Sequence, residues 1–213
     1  MKPGPEPPAV SVELLPDPEQ GPVTADGPLR SIQEAELTMA PGQLRDLWTA
    51  ETLERLGRGY WRHLSRISLR LLRVAYAPTS HSVLLLRRLE LLRFGAPRYD
   101  TGGEVARVSW AIERGILVAR AGRGRGELRF EARRLPGDND AGRARIRIRA
   151  VVESYYPLLR GSGVFARIGA WIYAQTQLRI HVAVTRGFLR SLERGELPPV
   201  RPERSPSYAR PLP

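Results

Sequence analysis

From Arg143 to Ala150 the chain reads RARIRIRA, the strongest period-two signal in the sequence. Arg143, Arg145, Arg147 and Arg149 fall on one side of an extended strand, and Ala144, Ile146, Ile148 and Ala150 on the other. Four guanidinium groups in a row cannot face a dry core, because an unpaired buried charge is too costly. The strand therefore belongs to a sheet with one wet face and one covered face, which is the habit of antiparallel sheets. The same alternation occurs twice upstream. Ala106, Val108, Trp110 and Ile112 alternate with Arg107, Ser109, Ala111 and Glu113, and Leu128, Phe130 and Ala132 alternate with Arg129, Glu131 and Arg133. Gly115 and the glycines of AGRGRG mark the turns between them, and LPGDNDAG reads as a loop.

The apolar face of such a sheet needs a cover, and the segment 163–194 supplies a candidate. Val164, Ile168, Trp171, Gln175, Leu178, Val182, Thr185, Leu189 and Leu192 recur at steps of four and three, a single stripe along a helix. Tyr173, Gln177, Ile180, Val184 and Phe188 form a neighbouring stripe and widen the apolar face beyond a coiled-coil seam. Ser162 suits a helix start, and Gly195 with Pro198 and Pro199 suits a stop. At full length this helix would run about 48 Å, enough to cross a sheet.

Earlier in the chain, Met1–Gly27 holds seven prolines and few large apolar residues, so it is expected to be a disordered tail; 197–213 reads the same way, leaving 28–196 as the folded domain. Ile32, Ala35, Leu37 and Met39 suggest a first strand. The apolar spacing from Pro41 to Ile67 favours helix, with Gly57 and Gly59 expected to interrupt or kink it. The leucine-rich block 68–96 fits either a helix or a pair of strands, since periodicity does not arbitrate there.

One strand, helix, a run of antiparallel strands and a long C-terminal helix: this order, with YYPLL preceding a helix that contains WIYAQTQLRIH, resembles the START-type helix-grip (SRPBCC) superfamily. The resemblance covers residues 29–195. It implies an α+β fold in which a curved antiparallel sheet wraps a long C-terminal helix and leaves an apolar cavity between them. On this chain such a cavity would be contacted by Trp110 from the sheet and by Trp171, Tyr173, Gln175, Leu178 and His181 from the helix. A few polar groups on an apolar wall are what orient a small ligand. Gln175 and Thr185 stand in the apolar stripe, where each needs a hydrogen-bond partner if buried. The function this implies is binding of a hydrophobic or aromatic, lipid-like small molecule, with no cofactor.

Other classes are narrowed by composition. The absence of cysteine removes disulfides, thiol catalysis and thiolate metal sites together. His63, His81 and His181 have no ligand spacing, and Ser80, His81 and Ser82 adjoin without a motif for a nucleophile and its base. GRGRG lacks the dinucleotide-binding spacing, and GDND lacks the rest of a calcium loop. No uncharged run approaches the length of a membrane-crossing helix, and the N-terminus has no basic-then-apolar leader, so a cytoplasmic setting is expected. The net charge of +12 is carried by arginine, since Lys2 is the only lysine. The alternative function is therefore a nucleic-acid-binding module presenting Arg143, Arg145, Arg147 and Arg149, with Arg123 and Arg125, to phosphates. No aromatic residue is interleaved with 143–149, which counts against base stacking and leaves weak, non-specific attraction. A cyclase- or lyase-type enzyme working in the cavity is a further alternative, because a fold does not determine its chemistry.

Overall fold

A computed structural model of the chain describes residues 10–16, 29–39, 48–136, 143–155 and 184–192. They form an α+β fold built on one antiparallel sheet of nine strands: β1 (Val10–Leu14), β2 (Leu29–Met39), β3 (Leu72–Ala77), β4 (Ser80–Leu85), β5 (Leu89–Gly95), β6 (Arg98–Asp100), β7 (Val105–Arg114), β8 (Gly126–Arg134) and β9 (Ala144–Tyr155). Spatial order is β1-β2-β9-β8-β7-β5-β4-β3, with β6 also on β7. The three alternating stretches of the sequence are thus the consecutive neighbours β7, β8 and β9.

Register puts like with like across these strands. Ala35 and Leu37 of β2 face Ile148 and Ile146 of β9, Phe130 of β8 faces Ala150, and Trp110 of β7 faces Leu128. These residues are all buried and define the inner face. On the other side of β7, Phe94 lies opposite Ile112 and Tyr99 opposite Val108. Pro97, with no N–H to donate, stands between β5 and β6 where the ladder breaks.

The block 68–96 resolves as β3, β4 and β5, the strand alternative with three strands in place of a pair. Val74 faces Val83 and Tyr76 faces His81 across β3 and β4. Within the segment expected to be a disordered tail, VSVEL forms the edge strand β1, paired in register from Val10–Met39 to Leu14–Ala35. The reason is local: between Pro8 and Pro16 the chain has full ladder capacity and a Val-Ser-Val-Glu-Leu alternation. The rest of that tail, and 197–213, lie outside the described residues.

Helix α1 (Ala50–Ile67) begins at Thr49, whose hydroxyl accepts a hydrogen bond from the Thr52 amide at 3.1 Å, with Glu51 in its first turn and Arg66 in its last. It runs unbroken through Gly57 and Gly59, against the expected interruption. Gly57 is a packing residue: a Cβ there would come within 2.6 Å of the Trp110 ring, so the missing side chain lets the helix settle on β7. Leu53, Leu56, Tyr60 and Trp61 are buried with it. Residues 184–192 are also helical and bury Val184, Phe188, Leu189 and Leu192. The remainder of the expected C-terminal helix, 163–183 and 193–194, lies outside the described residues.

Candidate functional site

Where α1 and the segment 184–192 meet the inner face, the covering is aromatic. Tyr60 of α1 makes edge contacts with Trp61, Phe130 and Phe188, at ring separations of 4.9, 5.1 and 5.6 Å. Trp61 reaches Phe94 at 5.0 Å and Trp110 at 5.9 Å. Each ring sits where strand alternation or the helix stripe puts it, so the cluster follows directly from the two periods.

In this apolar wall stands His81 of β4. Its imidazole stacks on Phe94 with ring centres 4.9 Å apart and planes 9° from parallel, leans on Trp61 at 4.8 Å, and meets the edge of Trp110 at 6.1 Å. Only 3% of the residue is exposed, and Nε2 has no hydrogen-bond partner. Burial pushes its pKa down to about 4, so the ring is neutral at physiological pH. Nε2 is thus a polar atom held among aromatic faces with its hydrogen-bonding capacity unspent. Nothing in the sequence singled it out. The usable signal was that β4 alternates, which turns His81 and Val83 inward together.

Two other polar residues lie on the inner side, Gln33 with its side chain paired and Thr185 without. Gln33 takes a core position on β2; its amide donates to the Ile32 carbonyl at 2.8 Å and accepts from Arg186 Nε at 3.2 Å, tying the sheet to the segment 184–192. Thr185, expected to need a partner, is fully buried and its Oγ1 meets no partner at hydrogen-bonding geometry among the described residues. The Tyr60 phenol is raised to about 12 by burial, a rise that the nearby Thr185 hydroxyl partly opposes. Both aromatic polar groups of the cluster are therefore uncharged near neutrality.

Of the residues assigned to a cavity from sequence, Trp110 lies in this cluster, packed between α1 and Phe130 at 6.0 Å. Its described cover is α1 rather than the C-terminal stripe. Trp171, Tyr173, Gln175, Leu178 and His181 lie outside the described residues.

On the outer face of the sheet the β9 arginines are part-exposed, as the alternation predicts, and are paired with glutamates. Arg145 and Arg147 both pair with Glu36 of β2, the second at 2.7 Å, while Arg149 pairs with Glu34 at 2.6 Å. Glu131 of β8, itself buried, draws Arg107 and Arg129 to 3.1 and 2.8 Å. Across four neighbouring strands the register sets Glu34, Arg149, Glu131 and Arg107 in one row of alternating charge. The two guanidinium groups at Glu36 hold its carboxyl below the usual range, the hydrogen bond from Arg147 acting most strongly. Arg145, Arg147 and Arg149, whose charge is met by glutamates, have less to offer a phosphate backbone than unpaired strand arginines would. The partners were hidden because Glu34 and Glu36 lie more than a hundred residues from the arginines they meet.

Among the described residues no cluster of three His, Asp or Glu side chains could hold a metal ion, and no helix is long and apolar enough to cross a membrane. Compared with known proteins, the chain matches no family model and no curated sequence.

Proposed function

We propose that this protein binds a hydrophobic or aromatic small molecule, lipid-like in character, between the inner face of the sheet and its C-terminal helix, in the manner of the START-type helix-grip proteins it resembles. The element order supports this reading: strand β2, helix α1, the antiparallel run β3 to β9, then a helical segment packed on the inner face. The observation that carries it is His81. Leaving a buried polar atom unpaired costs about 1–3 kcal/mol, and a core needing only density would place Phe or Leu at that position. An imidazole among Trp61, Phe94 and Trp110 suits a ligand with an apolar body and one polar end, the rings taking the body and Nε2 the hydroxyl, carbonyl or carboxyl. Trp171, Tyr173, Gln175, Leu178 and His181 are proposed to complete the wall from the helix.

The test is titration with the uncharged probe N-phenyl-1-naphthylamine, followed by displacement with a fatty alcohol and with the alkane of equal length. Saturable, stoichiometric probe binding is expected, weakened about tenfold by Trp110→Ala, a loss of about 1.4 kcal/mol. The alcohol should displace better than the alkane in the parent protein and no better in His81→Phe. Absence of saturable probe binding in a folded protein would end the proposal.

A further inference from the structure

The apolar surface that the core does not use is concentrated at one end of the sheet. There the α1–β3 connection presents Ile67, Leu69 and Leu71, and the β4–β5 turn presents Leu86 and Leu89. The two connections touch, the Leu86 amide donating to the Leu71 carbonyl at 2.9 Å. Leu69 is 85% exposed and Leu86 is 63% exposed, values unusual for leucine in an ordered turn.

Backbone geometry makes this pairing harder to dismiss. In the turn Ser68–Leu71, closed by a 2.9 Å hydrogen bond, Leu69 and Arg70 have φ of 51° and 64°. In the turn Leu85–Arg88, closed at 3.1 Å, Leu86 and Arg87 have φ of 50° and 65°. Both are left-handed positions that ordinarily recruit Asn and Gly. Instead the same dipeptide, Leu-Arg, occupies the two central positions of each turn. A side chain kept in a strained conformation, twice and side by side, points to a use outside the fold.

Charge indicates what that use is. Arg70, Arg73, Arg87 and Arg88 are exposed on the same two connections, and none meets a carboxylate among the described residues. They contrast with Arg107, Arg129, Arg145, Arg147 and Arg149 of the outer face, each of which meets a glutamate. Exposed aliphatic tips ringed by unmatched guanidinium groups complement an interface that is apolar inside and anionic at its rim. A protein partner would more typically be met by aromatic anchors; these two connections present Ile67, leucines and arginines and no aromatic residue.

From the paired left-handed Leu-Arg turns and their unmatched arginines we infer that this end of the sheet docks onto anionic lipid bilayers, Leu69 and Leu86 entering the headgroup layer while Arg70, Arg73, Arg87 and Arg88 engage phosphates. The docking is peripheral, and it does not depend on the cavity being filled.

The test uses the full chain in flotation with phosphatidylcholine vesicles, with and without phosphatidylserine. The parent protein should favour the phosphatidylserine vesicles at least tenfold, with binding falling as salt rises. Leu69→Asn/Leu86→Asn should lose binding about tenfold while keeping or raising its melting temperature, because Asn tolerates the left-handed backbone. Arg70→Gln/Arg73→Gln/Arg87→Gln/Arg88→Gln should lose the preference for phosphatidylserine. Arg98→Gln/Arg133→Gln, on the outer face, should bind as the parent does. Equal weakening by this last pair would reduce the effect to overall charge and overturn the inference. So would absence of vesicle binding at low salt, or a concentration-dependent self-association abolished by the Leu variants, which would make a second copy the occupant.

Discussion

His81 makes a measurable statement about stability against pH. In the unfolded chain its imidazole titrates near the ordinary 6.5, while burial among Trp61, Phe94 and Trp110 holds it at about 4 in the folded protein. Above the unfolded value both states are neutral and the full stability is present. As pH falls from 6.5 towards 4 the unfolded state gains a proton that the folded state refuses, so stability is lost at about 1.4 kcal/mol per pH unit. Across that window the loss reaches about 3 kcal/mol, a large share of a total near 5–15 kcal/mol. No solvent discount applies, because the ring is buried. The variant is His81→Phe, which fills the same aromatic slot, removes the unpaired nitrogen and should lie within about 1 kcal/mol of the parent at neutral pH. Urea unfolding followed by circular dichroism, at several pH values between neutrality and about 4.5, isolates the effect as a difference between the two proteins. Other titrating groups, including the Glu36 carboxyl, cancel in that difference. Curves that fall in parallel on acidification would refute the reasoning, since they would mean the imidazole is protonated equally easily folded and unfolded.

Gly57→Ala gains up to about 1 kcal/mol of helix propensity but drives a methyl into the Trp110 ring, at about 1–3 kcal/mol, so a net drop in melting temperature with altered tryptophan fluorescence is expected. Gly115→Ala is expected to cost about 2–3 kcal/mol in urea unfolding, since φ there is 139° and the added carbon would lie 2.1 Å from the Leu91 carbonyl oxygen. Arg145→Gln/Arg147→Gln/Arg149→Gln strips Glu34 and Glu36 of their strand partners. Half-exposed pairs contribute about 0.2–1 kcal/mol each, so a loss of about 1–3 kcal/mol at low salt that shrinks at high salt is the expected result.

The sheet was legible wherever one face is wet and the other dry. β7, β8 and β9 announced both their strands and their inward residues, because the chemical contrast between arginine and isoleucine leaves only one register. β3 to β5 were ambiguous because the leucine run of β4 and β5 is apolar on successive residues, which suits a buried helix as well as a strand. Gly57 was misread because propensity scores a glycine by its backbone entropy, whereas here the indole of Trp110 occupies the space its side chain would fill. The glutamates that neutralise the strand arginines and the burial of His81 are both products of pairing between distant strands. No local window contains that information, and the candidate site was correspondingly less legible than the fold. Trp110 was reached from sequence because alternation alone turns it inward.

Glu36 and Arg147 lie 111 positions apart, and the pairing of β2 with β9 that brings them together joins the beginning of the sheet to its last strand. During synthesis, then, β2 must wait with one edge unsatisfied until β9, more than a hundred residues further on, has left the ribosome, while β3 to β8 can zip together through successive neighbours. Closing so long a loop is entropically slow, and folding should show a fast phase for the local meander and a late, rate-limiting one for the arrival of β9. In that interval the early strand is the vulnerable part of the nascent chain. Its glutamates, standing without their arginines, would then act as gatekeepers that keep a waiting edge from pairing with another chain.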